Sequence, residues 1–175
     1  MEQNTANLAH AGEMLLRGGR SQDRKAELEY GLRSALANMP EAYGAEIWYG
    51  GVDDTQQHLS AYGYRQEADI FVQPVENLYH IQDWYRRILP EAISETGSSA
   101  PAHFYWTPAY YKELINNVVI SLTTVMRDSQ GKVIGLASTD WRADEIIQLV
   151  SRVEVTPGAF AFLLDSENRN LSSLA

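Results

Sequence analysis

The sequence predicts an α+β fold, with helices first and then an antiparallel sheet carrying short interleaved helices. Three observations predict it: an apolar stripe of helical period that stops at Pro40, a series of short β-rich runs separated by turn residues from residue 45 onward, and two longer β-rich runs, "NVVISLTTVM" and "VIGLASTDW", joined by a glycine-containing turn. No internal repeat, low-complexity tract or long linker interrupts the order. A chain of 175 residues is long enough for one core and short of what two full domains need. Its 45% hydrophobic and 21% charged residues are those of an ordinary folded chain.

The elements follow in order. Asn4 to Leu16 is loosely helical, "RGGRSQD" interrupts it, and Ser21 offers an N-cap for a second helix. In that helix Leu28, Leu32, Ala35, Leu36 and Met39 recur at the spacing of one buried face, and Pro40 terminates it. "AEIWYG" (45–50), "HLSAYGY" (58–64) and "DIFVQP" (69–74) read as a meander of strands divided by "GGVDDTQ" and "RQEA". "QDWYRRILPEAI" reads as a brief helix limited by Pro90, after which "SETGSSAPA" is a loop. The hairpin comes next, over 117–126 and 133–141. With Arg127 set opposite Lys132, Ile120, Leu122, Thr124 and Met126 share one face with Thr139, Ala137, Gly135 and Val133, while Ser121 and Thr123 share the other with Ser138 and Leu136. "RADEIIQLVSRV" is an amphipathic helix, "TPG" breaks the chain, and "AFAFLLDSENRN" starts a last strand and turn.

Bulk properties exclude several functions. Fourteen Lys and Arg against 23 Asp and Glu give a formal charge of −9, which repels phosphate backbones and anionic lipid, so no nucleic-acid partner is expected. Zero cysteines exclude disulfides, thiolate metal sites and a cysteine nucleophile, and leave the compartment open. No apolar run approaches the roughly 20 residues that cross a bilayer as a helix. No cofactor or metal is expected: His10, His58, His80 and His103 lack metal-ligand spacing, and there is no phosphate loop, HExxH or GxSxG. Glu91, Glu95 and Glu113 could mimic the carboxylate pair of a small glycan hydrolase, but acidic residues abound here and a non-enzymatic role is expected.

The chemistry concentrates between residues 79 and 111, where Tyr79, Trp84, Tyr85, Phe104, Tyr105, Trp106, Tyr110 and Tyr111 lie in under a fifth of the chain. Trp and Tyr combine a broad apolar face with a polar tip, so a wall of them desolvates a small ligand and still offers N–H and O–H groups. Packing is the competing account, since burying one such ring is worth about 1.5 to 3 kcal/mol without any ligand. Each buried tyrosine hydroxyl also needs a partner or costs about 1 to 3 kcal/mol, which favours Phe and Leu in a purely structural core. Beside the rings, Asp83 and Lys112 are candidates to orient a carboxylate or zwitterion, whereas Arg86 and Arg87 read as a solvated helix surface.

The "DWY" helix start, "WTPAYYKE", "NVVISLTTVMRD", "GKVIGLASTDW" and "TPGAFAFLLDSENRN", in that order and preceded by "GAEIWYGG" and "YGYRQ", together resemble the double Cache (dCache) sensor family over most of residues 20–170. The resemblance implies a PAS-like Cache fold and the extracytoplasmic, periplasmic ligand-binding part of a prokaryotic transmembrane receptor, such as a histidine kinase or chemoreceptor. It implies stalk-like helices over 1–40, a membrane-distal module over 41–155, and over 156–175 the start of a truncated membrane-proximal module. A homodimer through the N-terminal helix would fit. In amino-acid-binding members an Arg two residues before the Trp-Tyr pair clamps the carboxylate and an Asp after the Tyr-rich strand holds the amine; here the aligned residues are Gln82 and Lys112. That change points away from a standard α-amino acid and towards an acidic or neutral small molecule. The expected ligand-binding set is Tyr79, Gln82, Asp83, Trp84, Tyr85, Trp106, Tyr110, Tyr111 and Lys112, with Ser121, Thr123 and Ser138 giving hydroxyls from the floor. An interaction module that receives its signal from a partner binding protein is the alternative within the same resemblance.

Overall fold

The computed structural model describes residues 1–18, 24–50, 59–75, 103–153, 156, 158, 161–165 and 168–170. Two helices, α1 (Glu2–Gly18) and α2 (Arg24–Ala37), precede β1 (Gly44–Tyr49), β2 (Ser60–Gln66), β3 (Asp69–Pro74), β4 (Tyr105–Trp106), β5 (Tyr110–Lys112), β6 (Asn117–Arg127), β7 (Val133–Arg142) and α3 (Ala143–Ser151). The strands form one antiparallel sheet in the order β3-β2-β1-β7-β6, with β4 and β5 both pairing on the outer edge of β6. This is the α+β arrangement that the order of sequence signals predicts and the PAS-like fold that the resemblance implies. Among the described residues no helix is long and apolar enough to cross a membrane.

One face of the sheet is covered by helices. In α2, Leu28, Leu32 and Leu36 stand one turn apart and are all buried, because a four-residue spacing returns to nearly the same side of the helix. They pack with Leu8 and Ala9 of α1 against Ala45, Ile47, Ala61, Met126 and Ala137, which strand alternation places on a single face. Two buried hydrogen bonds fix α1 on this layer: the Thr5 and Thr139 hydroxyls lie 2.6 Å apart, and the Tyr49 hydroxyl donates to the Gly12 carbonyl at 2.8 Å. The end of α2 is held from β2, where Arg65 donates from Nε to the Ala42 carbonyl at 3.0 Å and from Nη2 to the carbonyls of Leu36 and Met39. Its guanidinium thus satisfies carbonyls that a helix terminus leaves without intrahelical donors.

Two turns depart from the simplest reading. Gln66 pairs with Asp69, so β2 and β3 are joined by the two residues Glu67 and Ala68, with Glu67 at a φ of 56°. In the long hairpin the register is shifted by two residues from the one with Arg127 opposite Lys132: Met126 faces Gly135, Leu122 faces Thr139 and Ser121 faces Asp140. Asp128 accounts for part of the shift. Its carboxylate accepts the amides of Gln130 and Lys132 at 2.8 and 2.9 Å, building a longer turn, and the pairing slips again between Met126 and Arg127. A shift of two leaves every side chain on its expected face. At Gly135 the backbone approach is so close that a Cβ would collide with the Trp48 carbonyl oxygen.

After α3 the described residues show a single bridge, between Leu164 and Asn170, closed by Asp165, whose carboxylate accepts from the Arg169 amide at 2.9 Å and its Nε at 2.7 Å. The expected strand over "AFAFLL" is therefore reduced to that bridge among the described residues.

Candidate functional site

The other face of the sheet buries Trp48, Leu136 and Val119 and also carries a charged, hydrogen-bonded cluster. Alternation puts Glu46 of β1, Tyr62 of β2, Ser121 and Thr123 of β6 and Asp140 of β7 on the side away from α1 and α2. Short β5 brings in Tyr110 opposite Val119 and Lys112 opposite Asn117, on the same side. Edge pairing with β6 is what carries residues of the "AYYK" segment over the sheet.

Asp140 organises the group. It is fully buried, and its Oδ1 accepts the Ser121 hydroxyl at 2.6 Å while Oδ2 accepts the Tyr62 hydroxyl at 3.0 Å and the Lys112 ammonium at 2.8 Å. Three donors to one carboxylate offset the desolvation that otherwise makes a buried charge costly. Lys112 also donates to Glu46 Oε2 at 3.1 Å and lies 3.7 Å from the centroid of the Tyr62 ring. Because the single Ser121 hydroxyl proton goes to Asp140, the Tyr110 hydroxyl is the donor in its 2.9 Å bond to Ser121. Thr107, also buried, accepts the Ser121 amide at 2.9 Å and fixes the chain between β4 and β5.

Gly44 makes room for this arrangement, since a Cβ there would collide with the Tyr62 phenol that reaches Asp140. Burial, and next the negative charge of Asp140, push the Tyr62 hydroxyl well above the usual tyrosine range. Burial likewise raises Tyr110, against the opposing pull of the Lys112 charge. Both phenols therefore act as neutral donors at physiological pH.

The expected site residues separate into groups. Tyr110, Lys112 and Ser121 come together around Asp140. Thr123 is adjacent, buried, with its hydroxyl 2.7 Å from that of Ser138. Trp106 and Tyr111 fall on the opposite parity of the edge strands and are 41% and 55% exposed; the Trp106 ring lies 5.6 Å from Trp141, and the Tyr111 hydroxyl bonds the Asn116 side chain. Tyr79, Gln82, Asp83, Trp84 and Tyr85, the brief helix that carries them, and the Ser21 cap lie outside the described residues.

Three residues of the cluster, Glu46, Tyr62 and Asp140, escaped the sequence reading. The signal available was a charged residue at alternating positions of otherwise apolar or hydroxyl-bearing strands, "AEIWY" and "STDW", where a solvated carboxylate has no place. Lys112 does stand beside a carboxylate, but β7 supplies it from 28 residues further along the chain. Among the described residues no group of three or more His, Asp or Glu could hold a metal ion, and Glu113 is exposed.

Comparison with known proteins agrees with this architecture. Residues 28–148 match the family model described as methyl-accepting chemotaxis protein-like, first PDC sensor domain. No curated protein sequence matches significantly. Among solved structures, the extracellular domain assigned to histidine kinase mmHK1S-Z3 superposes with a TM-score of 0.71 at 17% identity, over 98% of this chain and 62% of that one. The corresponding domain of histidine kinase soHK1S-Z6 gives 0.67 at 18% identity, over 97% and 62%. The ligand-binding domain of Campylobacter jejuni chemoreceptor Tlp3, in complex with L-valine, gives 0.62 at 17% identity, over 95% and 60%. The chain thus spans about three fifths of each of these structures.

Proposed function

Since the chain belongs to the family of methyl-accepting chemotaxis protein-like first PDC sensor domains, we propose that it senses a small polar metabolite on behalf of a transmembrane receptor, from the periplasmic side. The observation that carries this reading is the concentration of buried hydrogen-bonding groups on the face of the sheet opposite α1 and α2. The opposite face, by contrast, buries mainly Ala45, Ile47, Ala61, Met126 and Ala137 and no charged side chain among the described residues. Tyr110, Lys112, Ser121 and Asp140 instead form a network of fixed polarity, the kind of surface that selects one ligand orientation.

In this reading Trp84 and Tyr85 contribute to ligand recognition together with the network, and Lys112 directs the site towards a carboxylate or neutral molecule. Residues 1–40 serve as the stalk and dimer contact, 41–155 as the sensing module and 156–175 as the start of a second module. Ligand binding biases two positions of α1, whose Thr5 is bonded to Thr139, the neighbour of Asp140 in β7. A ligand shifts such an equilibrium only by its difference in affinity for the two states, typically about 1 to 3 kcal/mol.

The test is a thermal-shift screen of organic acids, sugars, amides and amino acids, followed by calorimetry of each hit. A metabolite that raises Tm in wild type and fails to do so in Trp84→Ala supports the reading. A second reading, docking of a partner protein, is favoured by exposed Trp106, Tyr111 and Leu114 along the β4–β5 edge. Binding of a partner that is lost in Trp106→Ala, with no small-molecule hit, would select it.

A further inference from the structure

We propose that the chain carries a preformed cation seat which Lys112 itself occupies, and that the ligand is therefore a small molecule without a free ammonium group. This rests on the reading that the ligand meets this face of the sheet.

The seat consists of the Asp140 and Glu46 carboxylates, 2.8 and 3.1 Å from the ammonium, and the Tyr62 ring with its centroid 3.7 Å away. Two anions and one aromatic face are the surroundings that bind ammonium groups in general. The sheet backbone fixes all three parts: Glu46 is directly opposite Tyr62 across β1 and β2, and Gly44, one step along the same face, is opposite Asp140 of β7. Both carboxylates are almost wholly buried, at 3% and 0% exposure, so water does not supply their counter-charge. The occupant differs in kind. It arrives on a flexible four-carbon stem from β5, a three-residue strand that pairs only at the sheet's outer edge. A ligand ammonium would have to displace this competitor, whose effective concentration is high because the side chain is covalently tethered beside the seat. A ligand hydroxyl or amide does not compete with the Lys112 ammonium for these two carboxylates.

The inference is tested by removing the occupant and refilling its seat. Lys112→Ala deletes the equivalent of n-propylammonium. At about ten times its Kd, n-propylammonium chloride is expected to raise the Tm of this variant by roughly 3 °C or more, with no effect from 1-propanol or sodium chloride at the same concentration. Wild type should not respond to the amine. If Lys112→Ala does not fold, the double variant Lys112→Ala/Glu46→Gln, with one fewer opposed charge, carries the same test with a smaller expected shift. A folded variant indifferent to n-propylammonium, or wild type that responds equally, overturns the seat. Among wild-type ligands, an amine that binds as tightly as its deaminated analogue also overturns it. Failure of the metabolite screen with successful amine rescue would remove the sensor reading and leave the seat standing, so the two are separable.

Discussion

The two faces of one sheet are built on opposite principles. Towards α1 and α2, Ile47, Ala61, Met126 and Ala137 meet leucines in mainly apolar contacts, pinned by the neutral Thr5–Thr139 and Tyr49–Gly12 hydrogen bonds; towards the other side, Glu46, Tyr62, Ser121 and Asp140 meet Lys112 and Tyr110 in a charged hydrogen-bond network. The same strands supply both, residue by residue, because their side chains alternate. The lesson is that stability and recognition are separable here at single-residue resolution: neighbours such as Thr139 and Asp140 serve different faces, and substitutions one position apart should have different consequences.

The largest effect is expected from Asp140→Ala. It strips the shared acceptor from Lys112, Tyr62 and Ser121 at once, and breaking a buried charge network of this kind costs about 3 to 5 kcal/mol in urea denaturation. A loss below about 1 kcal/mol would indicate a hydrated cluster and erase the contrast between the faces. On the helix side, Leu36→Ala should cost about 2 to 5 kcal/mol by leaving a cavity beneath α2, and the folded fraction should keep its ligand affinity. Thr139→Val should lose about 1 to 3 kcal/mol by leaving the Thr5 hydroxyl buried without its partner, and Thr5→Val/Thr139→Val should recover part of that loss.

The smallest effect is a pH dependence. Tyr62 and Tyr110 titrate above their unfolded value of about 10, so the folded state holds their protons more tightly. Their stabilisation is fully present below about pH 10 and is lost as pH rises through the raised folded values. Thermal melts should thus be flat in this respect to about pH 9 and decline beyond it, and Tyr62→Phe should lessen the decline. A stability equally steep in both proteins would place the phenols in water.

How much of this the sequence reveals follows from the range of each interaction. The α2 stripe, the strands over 44–49, 60–66 and 69–74, and the 117–127/133–142 hairpin are written in periodicity and turn residues, which are local. The hairpin register was not legible, because the Asp128 turn and the slip beside Met126 depend on hydrogen bonds that composition does not encode. The edge strands β4 and β5, of two and three residues, are too short for any periodic signal. Of the polar cluster, Lys112, Tyr110 and Ser121 were visible as residue types near an aromatic segment. Glu46 and Asp140 were not, since their meaning lies in a cross-strand meeting of residues far apart in the chain.

The most direct test is calorimetric titration of a metabolite from the screen against two matched variants, Ser121→Ala on the polar face and Ile47→Val on the helix face. The account predicts that Ser121→Ala weakens binding about tenfold or more, by leaving Asp140 and Tyr110 without their shared hydroxyl, while Ile47→Val costs about 0.5 to 1.5 kcal/mol of stability and leaves Kd unchanged. Equal losses of affinity in both variants, or none in Ser121→Ala, would contradict it.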